Sequence, residues 1–220
     1  MKVLAIDTTS ERESVALADD LVLLAETRVL AAGHSRQVLS AVEFVLRAAG
    51  VAPGDVEGYA VTLGPGSFTG VRVGLSTVQG LALASRRPCL GVSTLDVLAA
   101  AITGEAPTLV PMVDAARGGQ VFAGLYDGEA RRRDDPRSEA AEAILERVTG
   151  PVAVVGDGAD RYADALRTRR PEVLFPRRDL YLAGVLARLA APRLAAGEGM
   201  APGALRPLYL RAADIRPAGP

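Results

Sequence analysis

Two aspartates end short apolar runs, Val3-Leu4-Ala5-Ile6-Asp7 and Leu109-Val110-Pro111-Met112-Val113-Asp114. A carboxylate at a strand end can orient Mg²⁺ or a water in a cleft. It can equally accept backbone N–H groups of its own turn, and the residue types leave both readings open. Gly64-Pro65-Gly66-Ser67-Phe68-Thr69-Gly70 has the glycine spacing of a phosphate-binding loop, but Val71 and Arg72 stand where Lys and Ser/Thr would be needed. His34 is the single histidine and no Gly-x-Ser-x-Gly elbow occurs, so a nucleophile triad lacks its parts; His34 reads as a helix-start or loop residue. One histidine and one cysteine, Cys89, also exclude a Cys/His zinc cluster and an internal disulfide.

Arg131 to Arg133, with Arg167, Arg169, Arg170, Arg177 and Arg178, could meet phosphates. At a net charge of −1 there is no global basic field, and a solvated surface is the better reading. The chain has 220 residues, 49% of them hydrophobic but only 4% aromatic, so its core must be Ala/Leu/Val packed through many small contacts. A lone cysteine suggests a reducing compartment. The start, MKVLAIDTTS, has too short an apolar run for a signal peptide, and no apolar stretch is long enough to span a membrane. The expectation is a soluble cytoplasmic protein.

The elements that must position these residues are organised around Gly58 to Pro88. Tyr59 to Leu63 reads as a strand, the glycine loop as a tight turn with Ser67 and Thr69 as helix caps, and Val71 to Ser85 as a helix. At about 100° per residue, Val71, Leu75, Val78 and Ala82 form its core stripe. Val73, Thr77, Gly80 and Ala84 form a second, smooth stripe. Either the helix is enclosed by its own domain, or this second face receives another chain.

Before it, residues 3–6, 14–18 and 21–29 read as three antiparallel strands. Residues 35–49 read as a helix capped by Ser35 and closed by Gly50, with Val38, Val42, Val45 and Ala49 as core, widened by Leu39 and Leu46. Phe44 lies off that stripe near Ala41 and Ala48; leaving its ring in water would forgo roughly 1.5–3 kcal/mol, so it is a candidate helix contact. Cys89 to Val92 is a strand and Ser93 to Ile102 a helix. Thr103 to Pro107 is the boundary between lobes, giving domains 1–104 and 105–220.

Residues 108–126 repeat the opening shape: strand, aspartate, six-residue turn, strand, with Asp114 in the place of Asp7. This suggests a duplicated βββαβα-type lobe. Helices are expected over 139–148, 160–167 and 180–194, with a buried strand at 152–155, an anchored segment at 208–211 and a frayed tail from Ile215.

Asp7-Thr8-Thr9, Gly64 to Gly74, Asp114-Ala115-Ala116-Arg117-Gly118, Gly156-Asp157-Gly158 and Pro207-Leu208-Tyr209-Leu210-Arg211 occur in this order. Together they resemble the TsaB (YeaZ-like) family of the bacterial tRNA threonylcarbamoyladenosine machinery, over nearly the whole chain. The resemblance implies an α/β fold of the actin/Hsp70/sugar-kinase type (ASKHA), with two duplicated RNase H-like lobes. It implies a non-catalytic partner of the transferase TsaD, whose His-x-x-x-His metal pair has no counterpart in Val92-Ser93-Thr94-Leu95-Asp96. It also implies an interface on helices 35–49 and 70–85, carried by Ala41, Phe44, Ala48, Val73, Thr77, Gly80 and Ala84 and used for homodimers when the chain is alone.

The ATPase TsaE joins such complexes, and the tRNA adenosine beside the anticodon is their substrate. ATP and Mg²⁺ are expected to be handled by partner subunits. Asp7, Thr8, Gly66, Ser67, Asp114 and Gly156 would then line a vestigial ligand cleft, with no catalytic or metal-binding residue. The alternative is a stand-alone Mg-ATP phosphotransferase built on Asp7 and Asp114; a glycopeptidase reading lacks any ligand set.

Overall fold

The computed structural model describes residues 1–30 and 37–210. The readings of His34, the Ser35 cap, Arg211 and the tail from Ile215 lie outside the described residues.

The chain opens with β1 (Lys2–Asp7), β2 (Arg12–Asp19) and β3 (Val22–Leu30), an antiparallel meander. Helix α1 (Val38–Ala49) follows, then β4 (Gly58–Thr62), α2 (Phe68–Ser85), β5 (Cys89–Val92) and α3 (Thr94–Ala101). The first sheet has the order β3-β2-β1-β4-β5, with β4 and β5 added in parallel through the helices. Burial on both faces explains the unbroken apolar runs of β1 and β4.

The second half supplies β6 (Thr108–Arg117), β7 (Gln120–Ala123), β8 (Tyr126–Asp127), β9 (Arg137–Ala140), α4 (Ala143–Glu146) and β10 (Val152–Val155). Helices α5 (Asp157–Arg161), α6 (Ala163–Arg169) and α7 (Ala183–Ala195) follow. Its sheet order, β10-β6-β7-β9, repeats β4-β1-β2-β3. The echo holds at the level of register: Asp7 pairs with Ser14, and Asp114 with Val121.

On one face of the first sheet, α1 and α2 bury Val38, Val42, Val45, Leu75, Val78 and Ala82 against Leu4, Ile6, Val15 and Val61. On the other face α7 lies across β1, β2 and β4. A continuous core joins Leu186 and Ala190 of α7 to Leu95 and Leu98 of α3 and to Leu109, Val113 and Tyr126 of the second sheet. Helix α3 thus sits between the two sheets.

Several expectations need correcting. Division into 1–104 and 105–220 does not describe the packing, because α7 returns to the first sheet and Met200 bridges to Cys89. The helix expected over 139–148 is strand β9 followed by the short α4. Gln120 to Ala123 pairs with Arg137 to Ala140, and a sheet edge overrides the helical propensity of that Ala/Glu run. Leu39 is not core but 63% exposed.

Candidate functional site

Two places could carry function: the cleft between the lobes and the outer face of α1 and α2.

At the cleft, the glycine loop is closed against the turn after β1. The Ser67 amide donates to the Thr9 carbonyl at 2.7 Å and the Thr8 hydroxyl to the Gly70 carbonyl at 2.7 Å. A Cβ at Gly66 would lie 2.4 Å from the Thr9 carbonyl oxygen, and one at Gly70 only 1.9 Å from that of Thr8. These glycines permit backbone contact within the protein. Ser67 caps α2, its hydroxyl accepting the Gly70 amide at 3.2 Å.

Asp7 is fully buried. Its Oδ1 accepts the Thr62 hydroxyl at 2.6 Å, the Thr9 hydroxyl at 2.7 Å and the Thr9 amide at 3.2 Å. Burial pushes its carboxyl above the usual carboxylate range. The carboxylate is turned into the protein, and the Asp7–Asp114 pair expected around Mg-ATP is not formed. Thr8, likewise buried, sends its hydroxyl to the first turn of α2 and does not line the cleft.

Asp114, Gly66 and Ser67 do line an open cleft of ≈ 550 Å³, together with Ser10, Arg12, Asp157 and Arg161. Asp114 Oδ2 accepts from Arg161 at 3.0 Å, and its Oδ1 from the Ala116 amide at 3.2 Å. Asp157 Oδ1 accepts the Asp114 amide at 3.0 Å, and burial raises its carboxyl. Asp114 thus accepts an amide of its own turn as well as Arg161 of α5, and Asp157 ties α5 back to β6. Gly156 is not a lining residue; a Cβ there would meet the Met112 carbonyl oxygen at 2.1 Å. Of the two carboxylates expected around Mg-ATP, Asp7 is held by Thr62 and Thr9 and Asp114 by Arg161 and the Ala116 amide, so the two meet different groups. Asp157 and Arg161 were missed from sequence; a third apolar strand followed within two residues by an aspartate, Val152 to Asp157, was the available signal.

Among the described residues no three His, Cys, Asp or Glu side chains converge as metal ligands. At 92–96, Ser93 caps α3 by accepting the Leu95 amide. Asp96 Oδ1 accepts the Tyr126 hydroxyl and Arg132 Nη2, each at 2.6 Å. This segment is a joint between the lobes.

The second place is the outer face of the helix pair. Gly80, Ala84, Phe44 and Ala48 are exposed; Val73, Thr77 and Ala41 are half-buried at its margin. Leu83, absent from the expected face, is 71% exposed, and Phe44 50%. Leu83 lies off the small-residue stripe and was overlooked for that reason. At one end Phe68 stacks on Tyr209 with centroids 5.6 Å apart, under the Arg72 guanidinium at 3.7 Å.

A duplicated meander completed by parallel crossover strands, with a cleft between two lobes, defines the actin/sugar-kinase-like (ASKHA) class. An ATP-glucomannokinase from an Arthrobacter strain shares this fold at a TM-score of 0.53 and 14% identity, covering 89% of this chain and 99% of that one. The sequence model of the family described as TsaD, tRNA N6-adenosine threonylcarbamoyltransferase, matches residues 28–190. The Escherichia coli tRNA threonylcarbamoyladenosine biosynthesis protein TsaB is 33% identical over 96% of this chain and 95% of its own length. YeaZ from Pseudomonas aeruginosa superposes with a TM-score of 0.78 at 32% identity, covering 94% of this chain and all of that structure. The chain belongs to the TsaB family.

Proposed function

We propose that this chain is a docking subunit without catalytic activity of its own. It pairs with a TsaD-like transferase in a complex that modifies the tRNA adenosine beside the anticodon, and a TsaE-like ATPase joins that complex. The working compartment is the cytoplasm, where tRNA is. ATP and Mg²⁺ are handled by the partners and no cofactor is held here. Alone, the chain forms a homodimer through the same helix face.

One observation supports this reading above others. A Cβ added at Gly80 would meet no atom of the described residues within 4 Å, so none of them requires glycine there. Mid-helix glycine costs about 0.5–1 kcal/mol relative to alanine. A glycine kept at that cost beside exposed Leu83, Ala84 and Phe44 is accounted for by the close approach of another helix.

The test is a pull-down of TsaD and light scattering on Gly80→Arg and Ala84→Arg. Loss of both associations with an unchanged circular dichroism spectrum is expected. Retained binding would assign docking elsewhere. ATP turnover by the isolated chain would remove the claim that it lacks catalytic activity.

A further inference from the structure

Most of the arginines that the sequence offers to phosphates are already engaged. Arg131, Arg132, Arg169 and Arg178 each meet a carboxylate at 2.6–2.9 Å. The surface made by α2 and residues 199–210 is different. Acidic residues number 26 in the chain, yet none lies between Gly58 and Leu95 or between Gly199 and Leu210. The two stretches pack together: Gln79 donates to the Pro202 carbonyl at 3.0 Å, and Phe68 stacks on Tyr209.

Arg72, Arg86, Arg87 and Arg206 are all exposed on these stretches. Among the described residues none of the four forms an ion pair. Arg72 meets the Tyr209 hydroxyl at 3.1 Å, and Arg206 meets backbone carbonyls. At 1.5 Å per residue, Arg72 and Arg86 stand about 20 Å apart along α2. Positive charge without a carboxylate partner therefore runs the length of the helix.

Aromatic surface lies in the same strip. The chain has four Phe and five Tyr, of which three are exposed. Two of those three, Phe68 at 46% and Tyr209 at 44%, are the stacked pair. Arginines without counter-charge beside exposed rings suit unpaired nucleic acid, whose phosphates take the guanidinium groups while its bases stack on the rings. An acidic protein surface would answer the charges but has no base to lay on the rings. Arg72, Gln79 and Arg86 fall about a third of a turn round α2 from Thr77, Gly80 and Ala84, so the strip and the docking face do not coincide.

We infer that this flank of α2, with residues 199–210, is an RNA-binding strip in which Arg72, Arg86, Arg87 and Arg206 meet tRNA phosphates and an unpaired base stacks on the Phe68–Tyr209 pair. The inference deepens the proposed function and rests on the complex acting on tRNA, but it does not require docking at Gly80.

The test is tRNA affinity measured against salt concentration by filter binding, for the full chain alone and for the chain with the transferase. A pull-down checks the pairing of each variant. Arg86→Gln with Arg87→Gln should weaken tRNA binding and flatten the slope of log affinity against log salt by about 1.4–1.8, the value of two phosphate contacts. Tyr209→Ala should weaken binding at least about fivefold at an unchanged slope, the low end for one stacked base. Tyr209→Phe keeps the ring and should bind as the wild type does. Transferase pairing should be unchanged throughout.

Wild-type affinity and slope in the arginine and Tyr209→Ala variants overturn the proposal, as does absence of tRNA binding by the wild type in both forms. Loss of transferase pairing in the arginine variant, with tRNA binding by the chain alone unchanged, also overturns it and assigns the strip to an acidic protein surface. Failure of the docking reading appears separately, as a wild-type chain that does not pair with the transferase while its own tRNA binding still depends on Arg86, Arg87 and Tyr209.

Discussion

The Thr8 hydroxyl donates to the Gly70 carbonyl at 2.7 Å, fastening the turn after β1 to the first turn of α2 across 62 residues of sequence. The two backbones are so close that the glycine loop has no room for a side chain where it crosses Thr8.

Gly70→Ala should therefore be costly. Its Cβ would sit 1.9 Å from the Thr8 carbonyl oxygen, a backbone atom that can move only if the turn or α2 moves. A loss of about 3 kcal/mol or more is expected, at or beyond the upper end of ordinary overpacking. Urea denaturation with an unchanged m-value would measure it.

Gly80→Ala should do the opposite to the monomer. With no atom within 4 Å of the added methyl, the helix should gain about 0.5–1 kcal/mol. Binding to the transferase should weaken while thermal stability rises. A variant that is both more stable and a better binder would show that glycine is not there for close approach.

Asp7 gives a pH dependence. Burial raises its folded-state pKa above the unfolded carboxylate value of about 4. The folded protein therefore keeps the proton to higher pH than the unfolded chain does. Its stabilising contribution is complete below that unfolded value and is lost as pH rises through the folded one. Asp7→Asn keeps an acceptor for Thr62 and Thr9 and cannot ionise. Its stability should fall less between pH 4 and neutrality than that of the wild type, in chemical melts run as a pH series.

Tyr126→Phe tests the joint between the lobes. The buried Tyr126 hydroxyl donates to Asp96 at 2.6 Å, and Asp96 also holds Arg132. Removing the hydroxyl takes away a hydrogen bond to a charged group and should cost about 1.5–3 kcal/mol. Stability unchanged from the wild type would show that the bond contributes nothing net.

Much of the scaffold was legible because it is written in short-range pattern. The stripe Val71, Leu75, Val78 and Ala82 is buried as its spacing predicts, and Ser67 caps α2. The repeat of strand, aspartate and turn at Asp7 and Asp114 reappears as matching register in two sheets, because a hairpin is specified by contiguous residues. The shortage of histidine and cysteine needed no structure at all.

Tertiary structure decided where those side chains point and what lies on them. Asp7 reads from sequence either as a cleft carboxylate or as an acceptor within its own turn; the Thr9 amide and Thr62, 55 residues on, both hold its Oδ1 inside the protein. Arg137 to Ala140 has helical composition, yet it is claimed as a strand by the open edge of β7. Helix α7 closes the first sheet from the far end of the chain, and Leu39 and Leu83 are left exposed because nothing among the described residues covers them. Periodicity states which face of an element is apolar. The partner of that face is set by distant segments, whose contacts a local pattern does not encode.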